Sequence, residues 1–294
     1  MVKVSIGICA HNEEKHIEGL LRNLLNEQEL PSDSEIIVVC SGCTDSTPEI
    51  VKAFSEKDER VKLVVEAERR GKISALNKIL NTYQGDVFVN IDADHNPSKG
   101  AIPLLLSDLN DSEVGAVAGN KTPVGGTGFI DKVQYVAWGL HAEANKFLGN
   151  HGNAHLGAVL YAIRKGICNH IPEDVVNDDS YVSVVCKQNC YQLLFEENAY
   201  AYFPCLETIG QFVEHRRRVI YGHLKVKEAT GMAPAVLEMI PLKAKLTITA
   251  RWIKRNLLLT PYFMFLCLIE LWANILARWD YSKNYNPHVV WRRF

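Results

Sequence analysis

The sequence predicts an α/β fold: a sheet flanked by helices, followed by a helical C-terminal extension. Three observations predict it. Strand-like and helix-like segments alternate through about the first hundred residues. The strand-like segments are continuously apolar. From about residue 231 the composition turns amphipathic and then apolar. Continuously apolar strands joined by helices belong to a mostly parallel sheet buried on both faces.

Taken in order, residues 3–9 (KVSIGIC) carry one basic residue and a short apolar run, and read as a strand rather than a signal peptide. Residues 14–26 read as a helix with Ile17, Leu20, Leu21, Leu24 and Leu25 on one face. Residues 35–40 (EIIVVC) form the second strand. Asp45-Ser46-Thr47-Pro48 supplies an N-cap and a first-turn proline for a helix through Phe54. A third strand over 61–65, a helix over 71–82 and a fourth strand over 86–91 complete the alternation. Beyond residue 110 the pattern loosens. A short strand falls at 114–118, a flexible loop at 124–128, a helix carrying Trp138 at 129–148, a strand at 158–164 and a helix at 178–188. Residues 235–256 mix apolar residues with Lys243, Lys245, Arg251, Lys254 and Arg255, the make-up of an interfacial helix or of a basic-faced helix packed on the domain.

Bulk properties exclude some functions. The 294 residues are 47% hydrophobic and 22% charged, which fits a folded chain with a sizeable core. The 32 basic and 34 acidic residues leave a net charge of -2, so there is no electrostatic case for a nucleic-acid partner. Eight cysteines at irregular spacing read as reduced and intracellular. Cys40/Cys43 and Cys186/Cys190 are spaced as zinc half-sites, but neither has a second pair, and closed zinc sites need four ligands.

Ligands of open α/β sheets bind outside the carboxyl ends of the strands. That rule brings three polar loops to one edge: residues 10–14, 41–45 and 92–97. Asp92 and Asp94 follow a buried strand one residue apart, so both side chains point to one side. Two such carboxylates repel unless a cation lies between them, and a hard ion such as Mg2+ suits them, with diphosphate oxygens and water completing its shell. An ordinary Asp-, Asn- and Pro-rich turn has the same composition. Asp178-Asp179 opens a helix, where one carboxylate can cap and the other is free to act as a general base, or both cap. Arg216-Arg217-Arg218 suits phosphate recognition or forms a solvated helix turn.

These segments, in this order, resemble the family 2 glycosyltransferases with a GT-A (Rossmann-like nucleotide-diphospho-sugar transferase) fold over about residues 1–225. The segments are SIGICAHNEEKHIEGLL, IIVVCSGCTDST, ERRGKISALN, VFVNIDADHNP with the DxD signature, HLGAVLYAIRKG, VVNDDSYVS and EHRRRVIYGHL. The resemblance implies a mixed sheet over residues 1–230; composition makes residues 231–294 a helical, membrane-associated region. The resemblance also implies inverting transfer of a sugar from a nucleotide-diphosphate donor to an acceptor hydroxyl, glycan or lipid-linked. Asp94 and Asp92 would hold Mg2+ or Mn2+, and Asp179, with Asp178 as second candidate, would be the base. Asn12, Glu13, Ser41, Asp45, Lys72, Asp92 and Arg218 would contact the donor.

Departures from the family pattern are informative. Cys40-Ser41 stands where an Asp pair is usual, which leaves the nucleotide open. His215 replaces a Gln. Val219 replaces a Trp typical of polymer synthases, which favours single-sugar transfer. A sugar-nucleotide nucleotidyltransferase would need a Gly-rich phosphate loop near the N-terminus, absent here. A nucleotide-sugar- or glycan-binding protein without turnover is the non-enzymatic rival.

Residues 257–277 are almost wholly apolar, long enough to cross a bilayer, with a polar stripe at Glu270, Asn274 and Arg278. A mid-bilayer Glu costs about 2.5–3.5 kcal/mol, while each Leu, Ile or Phe offsets roughly 0.3–0.6 kcal/mol. The sum is near balance. It predicts membrane contact, as a full span or at the cytoplasmic face, or a helix buried in a soluble dimer interface. No oligomeric state follows.

Overall fold

Val4, Ile6 and Ile8 are solvent-free, as a strand covered on both sides requires, and they belong to β1 (Val4–Ala10), the centre of the parallel region in this computed structural model. The structure describes residues 2–157, 159–234 and 240–283. β2 (Glu35–Ser41) and β4 (Val87–Ile91) flank β1 in parallel, and β3 (Val61–Glu66) lies outside β2. Helices α1 (Ile17–Asn26), α2 (Thr47–Ser55) and α3 (Lys72–Thr82) return the chain between them. The carboxyl ends of β1, β2 and β4 therefore share one edge. α1 starts later than the periodicity suggests, because the Glu13 carbonyl already accepts the His16 and Ile17 N–H groups in a turn.

The second half breaks the parallel rule. After β5 (Asn96–Pro97) and α4 (Ala101–Asp108), β6 (Val114–Val124) leads into α5 (Phe129–Gly149), and β7 (Leu160–Arg164) returns antiparallel to both β6 and β4. α5 starts beyond the end of β6 and finishes with Gly149 against Phe195, which pairs with Ala118 of β6. α6 (Asp178–Gln188), β8 (Gln192–Pro204) and α7 (Ile209–Thr230) follow, with β8 parallel to β6. The eight strands run β3-β2-β1-β4-β7-β6-β8-β5, a mixed sheet. Of the expected strands, 114–118 proves too short. A register shift between Gly119 and Asn120 lets the polar stretch through Val124 pair with Tyr200–Pro204.

Apolar clusters cover both sheet faces, one built on α1 and α4, the other on α3 and α6. A third joins Val133 and Val136 of α5, Phe212 of α7, Trp252 of α8 (Leu242–Arg255), and Leu266 and Ile269 of α9 (Thr260–Ser282). The C-terminal helices thus share a core with the helices over the site. Ala158, the expected start of β7, and residues 235–239, the start of the expected amphipathic segment, lie outside the described residues.

Candidate active site

The loops after β1 and β2 are stitched together. Asn12 adopts φ 57°, which turns its carboxamide to Thr44: Oδ1 accepts the Thr44 N–H at 2.8 Å and Nδ2 donates to Thr44 Oγ1 at 3.1 Å. The Thr47 hydroxyl accepts the Glu13 N–H at 2.7 Å and donates to Asp45 Oδ1 at 2.6 Å, while Asp45 Oδ2 accepts the Glu14 N–H at 3.1 Å. Gly42 has φ 58°, and a Cβ there would lie 2.5 Å from the Arg69 nitrogen, so the third loop passes only over glycine. Ser41 Oγ faces that loop, 3.4 Å from the Arg70 nitrogen. The expected donor residues of these two loops form one continuous wall.

Lys72 opens α3 and reaches across the strand ends. Its Nζ lies 2.7 Å from Asp92 Oδ1 and 3.3 Å from Asp178 Oδ1. Burial opposes its charge, but the two carboxylates outweigh burial and hold Lys72 above the ordinary lysine range. For Asp178 the balance is reversed. Burial, with added repulsion from Asp179 and Asp92, exceeds the pull of Lys72 and pushes its carboxyl up to about 6. Asp178 Oδ2 is buried with no hydrogen-bond partner among the described residues. Asp94, beyond Asp92, accepts a bond from His95 Nδ1 at 2.6 Å with a third of its side chain exposed.

Asp179 turns the other way. Asn177 precedes α6 and makes no side-chain cap, and of the two acids Asp179 takes a first-turn N–H. Asp179 Oδ1 accepts the Ser180 N–H at 2.6 Å, and His155 Nε2 lies 4.0 Å from Oδ2. Burial raises the Asp179 carboxyl, but His155, Lys121, His223 and the Ser180 N–H outweigh it and hold Asp179 below the usual carboxylate range. Around it stands a wall of rings: Trp138 and His141 on α5, His155, and His215 and His223 on α7. Centroids are 6.1 Å apart for His141–His155 and 5.7 Å for His155–His223. Burial holds these four histidines below their ordinary value. Lys121, pushed down to about 8 by burial, also faces Asp179. It donates to the Gly157 carbonyl at 2.9 Å and sits 4.1 Å above the Trp138 ring.

Sequence reasoning did not single out Lys121, His141, His155 or His223. The available signal was spacing, since 138/141 and 215/223 each fall on one helix face. No local motif links α5 to α7.

The arginine triplet is divided. Arg216 Nε donates to Glu270 at 2.6 Å, and Arg217 donates to both Asp280 oxygens at 2.6 Å, so two of the three hold α9. Arg218 faces the acids of the site, where Asp178, Asp179 and Asp92 partly offset the burial that lowers its pKa, while Arg216 lies close enough to the ring-lined side to act on Lys121 and His155. Cys40, Cys43, Cys186 and Cys190 are free thiols. Among the described residues, no three His, Cys, Asp or Glu side chains stand placed to hold a metal by themselves.

The site therefore has two sides. Asp92, Lys72 and Asp178 form a charged network at the strand ends. Asp179, a low-pKa carboxylate, faces a ring-lined wall under α5 and α7.

Comparison with known sequences and structures places this arrangement. Residues 5–171, more than half of the chain, match the profile described as Glycosyl transferase family 2. The probable glycosyltransferase YdaM of Bacillus subtilis (strain 168) is 41% identical over 121 residues, 40% of this chain and 29% of that protein. The poly-beta-1,6-N-acetyl-D-glucosamine synthase of Staphylococcus aureus (strain COL) is 23% identical over 73% of this chain and 53% of that one. The chain thus spans well under two thirds of these relatives. Among solved structures, the mannosyltransferase PcManGT from Pyrobaculum calidifontis, in complex with GDP-Man and Mn2+, superposes with a TM-score of 0.63 at 24% identity, covering 97% of this chain and 81% of that one. Glucosyl-3-phosphoglycerate synthase from Mycobacterium tuberculosis, with Mn2+ and UDP, gives 0.55 at 20% identity over 80% and 82% of the two chains. These likenesses establish the GT-A fold.

Proposed function

Because the chain belongs to glycosyl transferase family 2, we propose that it moves one sugar from a nucleotide-diphosphate donor to an acceptor hydroxyl, with inversion at the anomeric carbon. One observation carries this reading. Adjacent residues Asp178 and Asp179 point to opposite sides of the site, one into the Lys72–Asp92 network and one into the ring-lined wall. The displacement needs that division: a charged side for the departing diphosphate and a base on the opposite face for the nucleophile.

The residues fit a divalent ion. Asp92 and Asp94 offer partly exposed carboxylates, and Asp178 Oδ2 is a buried oxygen without a hydrogen-bond partner among the described residues. Oxygen ligands of this kind, too few to complete a shell alone, suit Mg2+ or Mn2+ shared with a diphosphate. When bound, the ion stabilises charge on the departing diphosphate. Lys72 and Arg218 add positive charge on the same side. Asn12, Glu13, Ser41 and Asp45 shape the wall for the nucleoside, whose base faces Cys40-Ser41. Asp179 takes the proton of the acceptor hydroxyl, and its lowered pKa keeps it ionised and ready to do so at neutral pH.

Residues 1–230 carry this chemistry, and residues 231–294 bring it to the cytoplasmic face of a membrane, where a lipid-linked glycan would be the acceptor. The test is a panel of UDP-, GDP- and dTDP-sugars with Mn2+ or Mg2+. A true donor raises the melting temperature in a metal-dependent way and turns over, because a ligand of the folded state must stabilise it. Stabilisation with no turnover on any acceptor would mark a binding protein, and unchanged turnover in Asp94→Ala would remove the metal assignment.

A further inference from the structure

α9 is apolar on two sides and buried on one. Leu257–Ser282 is long and apolar enough to cross a membrane by length and composition. Its inner side, Leu266, Ile269, Ala273 and Ala277, packs on the domain. Its outer side leaves Leu268 62%, Trp272 54% and Trp279 57% exposed, and Leu258 in the turn before it 92%. Two ion pairs fix the inner side. Arg216 holds Glu270, and Arg217 holds Asp280, which is 0% exposed. These anchors lie ten residues apart, about 15 Å along the helix. α9 is therefore fastened lengthwise to α7, and it could not cross a bilayer without taking α7 and its charges into the hydrocarbon.

We infer that α8 and α9 form an in-plane docking face for an anionic bilayer surface. The inference deepens the membrane contact proposed above. Charge complementarity selects the occupant. Between Leu242 and Trp279 six basic residues stand against one acid, Glu270, which Arg216 already neutralises. The chain as a whole carries -2, so positive charge is concentrated here. Lys243, Arg251 and Lys254 are exposed on α8, beside exposed Leu242 and Leu246. Indole rings on the outer side of α9 and exposed cations on α8, the preceding helix, are the composition of helices lying at the headgroup level. An anionic surface attracts such a rim at ordinary ionic strength, and salt weakens the attraction.

The test uses the full chain and vesicles of phosphatidylcholine alone or with 30% phosphatidylglycerol. Binding should require phosphatidylglycerol, fall at least tenfold in Lys243→Glu/Arg251→Glu/Lys254→Glu and in Leu268→Glu/Trp272→Glu, and reverse in alkaline carbonate. Both double and triple variants should keep the wild-type melting temperature and donor turnover on a soluble acceptor. Quenching by brominated lipids, compared between Trp272→Phe and Trp279→Phe, should place both rings at one shallow depth. A spanning helix would resist carbonate and set the rings about 10 Å apart in depth, which would overturn the inference. So would a folded chain that ignores every vesicle, including one whose outer side is covered by a second copy in light scattering. A chain that docks on vesicles but binds no nucleotide sugar would sink the transferase reading and leave the docking face standing.

Discussion

The strand-end side of the site and the ring-lined side are built by opposite means. The first is assembled from short loops at the ends of parallel strands, each within a few residues of its strand, as with Asn12, Ser41 and Asp92. The second draws on β6, the turn before β7, α5 and α7, so that Lys121, His155, Trp138 and His223 meet across a hundred residues of chain. Asp178 and Asp179 stand at the seam, and their pKa values move in opposite directions although they are neighbours. A carboxylate's behaviour here is set by which side it faces rather than by its place in the sequence.

The largest expected effect separates the two sides. Asp179→Asn should lower transfer about a thousandfold, the range of a lost general base, while the donor-induced melting shift persists. Asp94→Ala should abolish that shift. If Asp179→Asn abolished donor binding as well, the two sides would be one functional unit and the comparison would fail. Next is Asp280→Asn, which leaves Arg217 beside a buried, neutral partner. A loss of about 3 kcal/mol in urea unfolding is expected for breaking such a pair, and unaltered stability would mean that α9 is loosely held.

Acidity sharpens the contrast further. Asp178 is raised from 3.8 to about 6, so between those values the folded chain holds more protons than the unfolded chain. Metal-free protein should therefore lose on the order of 2 kcal/mol of stability as pH rises from about 4 through 6. Asp178→Asn should flatten that slope. Asp179 has the opposite sign: it contributes stability above 3.8 that is lost only as pH falls below that value. The smallest effect belongs to the loop wall. Gly42→Ala should cost roughly 1 kcal/mol or more for its left-handed backbone alone, with weaker donor binding, and wild-type behaviour would show that the Arg69 loop moves freely.

How far the sequence disclosed this site follows the same divide. β1 to β4 and the loops after them were legible because each couples a continuous apolar run to a polar turn. The start of α6 was legible from its acidic opening. β8 was not. Its run QLLFEENAYAYFP is interrupted by Glu196, Glu197 and Asn198, and the skipped register there erases the period of two. The arginine triplet was legible as charge but not as geometry. In a helix, successive residues point about 100° apart, so consecutive arginines must serve different neighbours, and the neighbours of Arg216 and Arg217 lie more than fifty residues away. The histidine wall had no local signature at all.

That division of the triplet bears on how the protein is handled. Trimming the apolar C-terminus is the usual route to a soluble enzyme for crystallisation. Here a cut after residue 241 would strip Arg216 of Glu270, leave Arg217 with Glu214 alone in place of Asp280, and bare the Phe212 cluster. The shortened chain would carry a released Arg216 two residues from Arg218 and would report the affinity of an electrically altered pocket. Solubility is better sought by replacing outer residues such as Leu268 and Trp272 and leaving Glu270 and Asp280 in place.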